Sequence, residues 1–133
     1  MSYDLMVYDP NIVFTGTTDF LDWYNKQTEW SEDHGYNNPD IPTRELRGWF
    51  KEMITKFPPM NGPLASDEND DSYVTDYCIG KYLIYVAFAW SVSQEAHSFM
   101  QGLARNHRLG FFDITNDEVW GISGNDYKLL FKT

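Results

Sequence analysis

Residues Tyr82–Trp90 read YLIYVAFAW. This short, almost unbroken apolar run mixes β-branched and aromatic residues with alanines at 87 and 89, and it predicts a strand covered on both faces. Ser91 then stands three residues before Gln94, the spacing of a capping box, in which each side chain satisfies a backbone donor. The helix predicted next places Val92, Ala96, Phe99, Met100, Leu103 and His107 on one face. Arg105, His107 and Arg108 crowd its last turn, where positive charge meets the helix dipole favourably. Gly110 supplies a stop, and Phe111–Ile114 begins another strand. Lys81–Ile114 is thus one packing unit, against which the rest of the chain must find a place.

Working outward, Tyr73–Ile79 alternates as a strand, and Gly80-Lys81 suits a tight turn pairing it antiparallel with the apolar run. Upstream, Leu46, Trp49, Phe50, Met53, Ile54 and Phe57 fall at helical spacing between Pro42-Thr43 and Pro58-Pro59. Thr18 is the expected N-cap of an earlier helix, with Asp19 and Asp22 in its first turn. Phe20, Trp23 and Tyr24 follow at helical spacing, and that helix should end near Trp30. Tyr3–Tyr8 reads as the first strand, Leu5 and Val7 on one side and Asp4 and Met6 on the other. Downstream, Phe111–Thr115 and Glu118–Ile122 flank Asn116-Asp117 as a second hairpin. Ser123–Asp126 reads as a polar link, and Tyr127–Phe131 as a terminal edge strand. The order is that of a ferredoxin-like βα(α)ββαβ fold whose first crossover holds two helices. The expectation is one α+β domain over residues 1–133: an antiparallel sheet, helices on one face, and a short C-terminal hairpin or edge-strand extension.

A chain of 133 residues supports a single core and should bury roughly two-thirds of its unfolded surface. Its net charge of −10 is one-sided: residues 1–78 hold 15 Asp/Glu against 5 Lys/Arg, and residues 79–133 hold 5 against 5. Such a field repels nucleic acid and anionic lipid and draws basic partners, although the same charge also serves solubility. Aromatic residues make up 17 %, and five Trp exceed what a core of this size requires, so some should sit at the surface. Cys78 has no second cysteine to pair with, which fits a reducing compartment. Met1–Asp9 carries no signal-like pattern, and the longest apolar run falls far short of the roughly 20 residues that span a bilayer. These features predict a soluble, cytoplasmic protein.

Glu29, Glu32, Asp33 and His34 are the densest group of potential ligands or proton-transfer residues. Adjacent side chains diverge, however, and no second His or Cys stands at a metal spacing, so no metal site is expected. Asp67, Asn69 and Asp71 match positions 1, 3 and 5 of an EF-hand loop, but Ser72 replaces the glycine and Cys78 the final glutamate. Ser91 and Ser93 lack a nucleophile-elbow motif. Cys78 has no cationic neighbour to activate it, and His97 and His107 read as helical histidines with structural partners. Neither catalysis nor a cofactor is expected. What remains is a surface: Trp30, Tyr36, Met60 and Trp90 at element ends and in loops, rimmed by Glu29, Glu32, Asp33, His34, Asp67, Glu68, Asp70 and Asp71. It suits a basic protein partner, neither nucleic acid nor membrane. The alternative is a small-molecule or regulatory domain with a pocket between sheet and helices, and the exposed aromatics with the terminal strand also suit a homodimer.

The phrases YDLMVYDP (Tyr3–Pro10), DWYNKQTEWSEDHGY (Asp22–Tyr36), WFKEMITKFPPMNGP (Trp49–Pro63), TDYCIG (Thr75–Gly80) and IYVAFAWS (Ile84–Ser91) resemble those of a family of small bacterial proteins. Proteins that look like this occur beside polymorphic toxins of contact-dependent or Rhs type. The resemblance implies an immunity role, in which the chain neutralises a cognate toxin domain by binding it. It covers most of residues 3–91 and brings no catalytic residue with it; Tyr127–Phe131 looks like an addition.

Overall fold

The computed structural model describes residues 2–67 and 71–133. Its strands are β1 (Tyr3–Tyr8), β2 (Asp76–Ile79), β3 (Leu83–Phe88), β4 (Gly110–Asp113), β5 (Glu118–Ser123) and β6 (Asp126–Lys132). Its helices are α1 (Thr17–Gln27), α2 (Arg44–Met53) and α3 (Ser93–Asn106), the last preceded by a 3-10 turn at Trp90–Val92. The six strands form one sheet in the order β2-β3-β1-β4-β5-β6, every neighbouring pair antiparallel. The class is α+β.

β1 is central because it is apolar on both sides. Leu5 and Val7 lie opposite Val86 and Ile84, whereas Met6 and Tyr8 lie opposite Tyr85 and Leu83. On the Leu5 side, Leu46, Trp49, Phe50 and Met53 of α2, with Phe57 beyond it, meet Ala96, Met100 and Ala104 of α3. Trp49 Nε1 donates to the Met100 carbonyl at 3.4 Å, joining the two helices. On the Met6 side, Phe20 of α1 packs with Phe14, Trp23 and Tyr24 over Met6, Tyr8, Leu83, Phe112 and Val119. Helices therefore cover both faces, which corrects the expectation of helices on one face. Met6 and Tyr8 are the physical reason: a strand apolar on both sides cannot leave one of them to water.

Local expectations fare unevenly. β3 is covered on both faces only at its Leu83 end, and Tyr85 and Ala87 are half-buried. The Ser91–Gln94 capping box does not form, because the 3-10 turn intervenes and α3 starts at Ser93 with no side-chain cap. α1 is capped at Gly16, not Thr18; the Asp19 carboxylate instead accepts the Thr15 and Gly16 amides at 2.7 and 2.9 Å. The Thr15 amide foremost holds that carboxyl below its usual range. α1 ends at Gln27, short of Trp30. The β2–β3 turn closes through Gly80 N–H to the Leu83 carbonyl at 2.9 Å, putting Lys81-Tyr82 at its centre. The predicted polar link Ser123–Asp126 is a tight turn about Gly124, whose φ of 66° is the left-handed region glycine adopts freely. β6 extends a residue beyond the predicted edge strand at each end.

Candidate functional site

α1 ends at Gln27; three residues on, Trp30 adopts a left-handed backbone, φ 53°, and the chain turns along the outer edge of β2. There the loop builds its own hydrogen-bonded cluster. Glu32 Oε1 accepts the Lys81 amide at 3.1 Å and His34 Nε2 at 2.7 Å. The Glu32 amide donates to the Tyr36 hydroxyl at 2.6 Å, and the Tyr36 amide donates to His34 Nδ1 at 3.1 Å. An amide donor at Nδ1 places the imidazole proton on Nε2, facing the Glu32 carboxylate. The rings close over this frame, His34 to Tyr36 at 4.3 Å, Trp30 to Tyr36 at 5.2 Å and Trp30 to Tyr85 at 6.1 Å. The Tyr36 carbonyl accepts the Ile79 amide at 2.9 Å, giving β2 the partner the sheet does not supply.

The second loop lies alongside. Thr75 N–H donates to the Pro58 carbonyl at 2.9 Å and Met60 N–H to the Thr75 carbonyl at 2.8 Å, so residues 58–60 extend cover along the β2 end. Gly62, with φ 89°, backs onto the first loop; a Cβ there would lie 2.5 Å from the Asn37 carbonyl oxygen. Asn61 reaches Asp76 at 3.4 Å. The two loops singled out in the sequence thus meet on one edge.

Of the predicted site residues, Trp30, Glu32, His34 and Tyr36 form the cluster, all half-buried, while Asp33 is exposed beside it. Met60 stands 49 % exposed and Asp67 is exposed. Asp71, also exposed, accepts the Tyr73 amide at 2.9 Å. Glu68 and Asp70 lie outside the described residues. Glu32 and His34 therefore hold the loop together, whereas Asp33, Asp67 and Asp71 point charge outward.

Sequence reasoning missed Asp76, exposed at the start of β2, Leu64, exposed in the second loop, and Tyr85, whose hydroxyl donates to Asp4 at 2.6 Å beside Trp30. The β3 alternation carried a signal for Tyr85, since it shares a face with Met6. Cys78 lies on that face, and burial first, then Asp76 and Glu32, push its thiol up to about 11. It stays protonated at neutral pH. His97 proves to be paired: its Nε2 lies 3.2 Å from Oδ2 of the buried Asp113, which also accepts two bonds from Asn116. Among the described residues, no three His, Cys, Asp or Glu side chains are placed to hold a metal ion. No described helix is long and apolar enough to cross a membrane.

The arrangement can therefore present carboxylates and rings along the β2 edge. No family model, curated protein or solved structure matches the chain.

Proposed function

We propose that the protein is a cytoplasmic immunity protein that neutralises a basic toxin domain by binding it along the β2 edge. The observation that carries this reading is the juxtaposition of the two loops. Asp33 is exposed beside the half-buried rings Trp30, Tyr36 and Tyr85, Asp76 is exposed at the start of β2, and Asp67 and Asp71, with Met60 and Leu64, are exposed in the second loop. Carboxylates at such a rim raise the association rate and select a cationic partner, while aromatic and Met anchors slow dissociation. Glu32 and His34 are positioning residues here, because their polar atoms are spent on Lys81 and Tyr36. We also read the first four strands, ordered β2-β3-β1-β4, as a ferredoxin-like core to which β5 and β6 add.

The test is protection of cells that express a candidate toxin domain cloned from the genes next to this one. Wild-type chain restores growth and forms a 1:1 complex whose on-rate falls with salt. The triple variant Asp33→Lys, Asp67→Lys and Asp76→Lys loses protection while its thermal unfolding stays near wild type. Unchanged protection by that variant rejects the surface, and failure of the wild type to bind or protect rejects the function.

A further inference from the structure

The segment between β1 and α1 runs over β4, β5 and β6 and borders a half-open cavity of about 270 Å³, away from the β2 edge. Ile12, Val13, Phe14, Leu130 and Phe131 give it apolar walls, and Gly110 and Gly121 bring backbone to its lining. A Cβ on Gly110 would lie 2.0 Å from Cζ of Tyr8, so the hydroxyl-bearing end of that ring rests on β4 at the cavity. Tyr8 is 3 % exposed, and its hydroxyl has no hydrogen-bond partner among the described residues. The buried hydroxyl of Tyr127 lacks a partner among the described residues, and burial foremost, then Tyr8, disfavours its ionisation.

Arg108 also lines the cavity, two residues before Gly110, on a left-handed backbone with φ 59°. Its guanidinium makes no ion pair or hydrogen bond among the described residues, in a chain with 20 carboxylates to choose from. Tyr8 and Arg108 both line the cavity, and Tyr8 pairs across the sheet with Gly110, two residues beyond Arg108. Thr15 and Ser123 add hydroxyls to the lining, and its remaining side chains are hydrocarbon.

We propose that this cavity binds a small carboxylate-headed amphiphile, a medium-chain or arylalkyl carboxylic acid. The carboxylate, which only accepts hydrogen bonds, takes the Tyr8 hydroxyl and the Arg108 guanidinium. The hydrocarbon part lies against Phe14, Leu130 and Phe131. The volume falls just below the roughly 300–1,000 Å³ of sites for drug-sized ligands, which sets the size of the guest. A net charge of −10 repels anions at long range, so recognition rests on these contacts, not on steering.

The experiment is an amide-resolved NMR titration of the whole chain with octanoate and, separately, with 1-octanol. Octanoate is expected to saturate at 1:1 and to shift the amides of Phe14, Gly110, Gly121 and Leu130. Arg108→Gln, an exposed substitution, weakens octanoate roughly tenfold and leaves octanol unaffected; Tyr8→Phe weakens octanoate several-fold. If octanoate causes no saturable shifts, or shifts amides elsewhere, the site is overturned. Equal binding of acid and alcohol, insensitive to Arg108→Gln, overturns the head-group assignment. Partner binding at the β2 edge enters none of these readouts.

Discussion

The two edges of the sheet are protected in opposite ways. At β2 the chain covers the edge with its own backbone: Tyr36 takes the Ile79 amide, and residues 58–60 take and return bonds at Thr75. At β6, among the described residues, the only backbone bond outside the ladder with β5 is the Thr17 hydroxyl on the Lys132 carbonyl. That edge is guarded by irregularity and charge. A bulge opposite Val119 and Trp120 leaves Leu130 out of register, and Lys128 and Lys132 project from the strand. Bulges and lysines are what keep open edges from pairing with another chain. A covered edge becomes a surface on which side chains can be held for a partner, whereas a guarded edge is kept away from partners.

The comparison is easiest to break at Gly62. Alanine there meets both a left-handed backbone and the Asn37 carbonyl oxygen at 2.5 Å. A loss of about 3 kcal/mol is expected, read as a fall in Tm, with increased amide exchange concentrated along the β2 edge. Glu32→Ala comes next, at about 1–2 kcal/mol, since it removes the bonds from Lys81 and His34. Hydrogen exchange at the Ile79 amide should quicken, because its acceptor, Tyr36, loses its frame. Slow exchange there after the substitution would mean that the loop is held by its rings alone.

At the other edge, Lys128→Ile with Lys132→Ile should change the monomer's stability by less than about 1 kcal/mol yet promote self-association, visible by sedimentation. A monomer at high concentration would show that the bulge suffices. The smallest effect concerns neither edge and serves as the control for both. His97 and Asn116 hold the Asp113 carboxyl below its ordinary range despite burial, which works the other way. A depressed pKa stabilises the fold above the unfolded value, near 3.9, and that contribution is lost as pH falls through the folded value. Asp113→Asn should therefore flatten the stability profile below about pH 4 and leave exchange at both edges unaltered.

Much of the scaffold was legible because it rests on local patterns. Leu46, Trp49, Phe50 and Met53 fall on one face of a helix whatever surrounds it, and all are buried as expected. Tyr3–Tyr8 begins and ends where alternation and Asp9-Pro10 place it. Both parts of the candidate site were visible as acidic clusters, Glu29–His34 and Asp67–Asp71. Their roles were less legible. Glu32 looks like a partner-facing carboxylate until Lys81, far along the chain, comes to sit against it. His97 and Asp113 are similarly silent, because each reads as an ordinary residue of its own element.

The sequence by itself determined the order of strands and helices and that negative charge belongs to residues 1–78. Periodicity and charge are properties of short stretches, and they survive any arrangement of those stretches. Only the tertiary structure decided that α1 crosses to the face opposite α2 and α3, that the two loops share the β2 edge, and that Tyr8 and Arg108 meet at one cavity. Those outcomes depend on contacts between residues distant in sequence, and which contacts form is settled by burying the apolar surface of the whole chain at once.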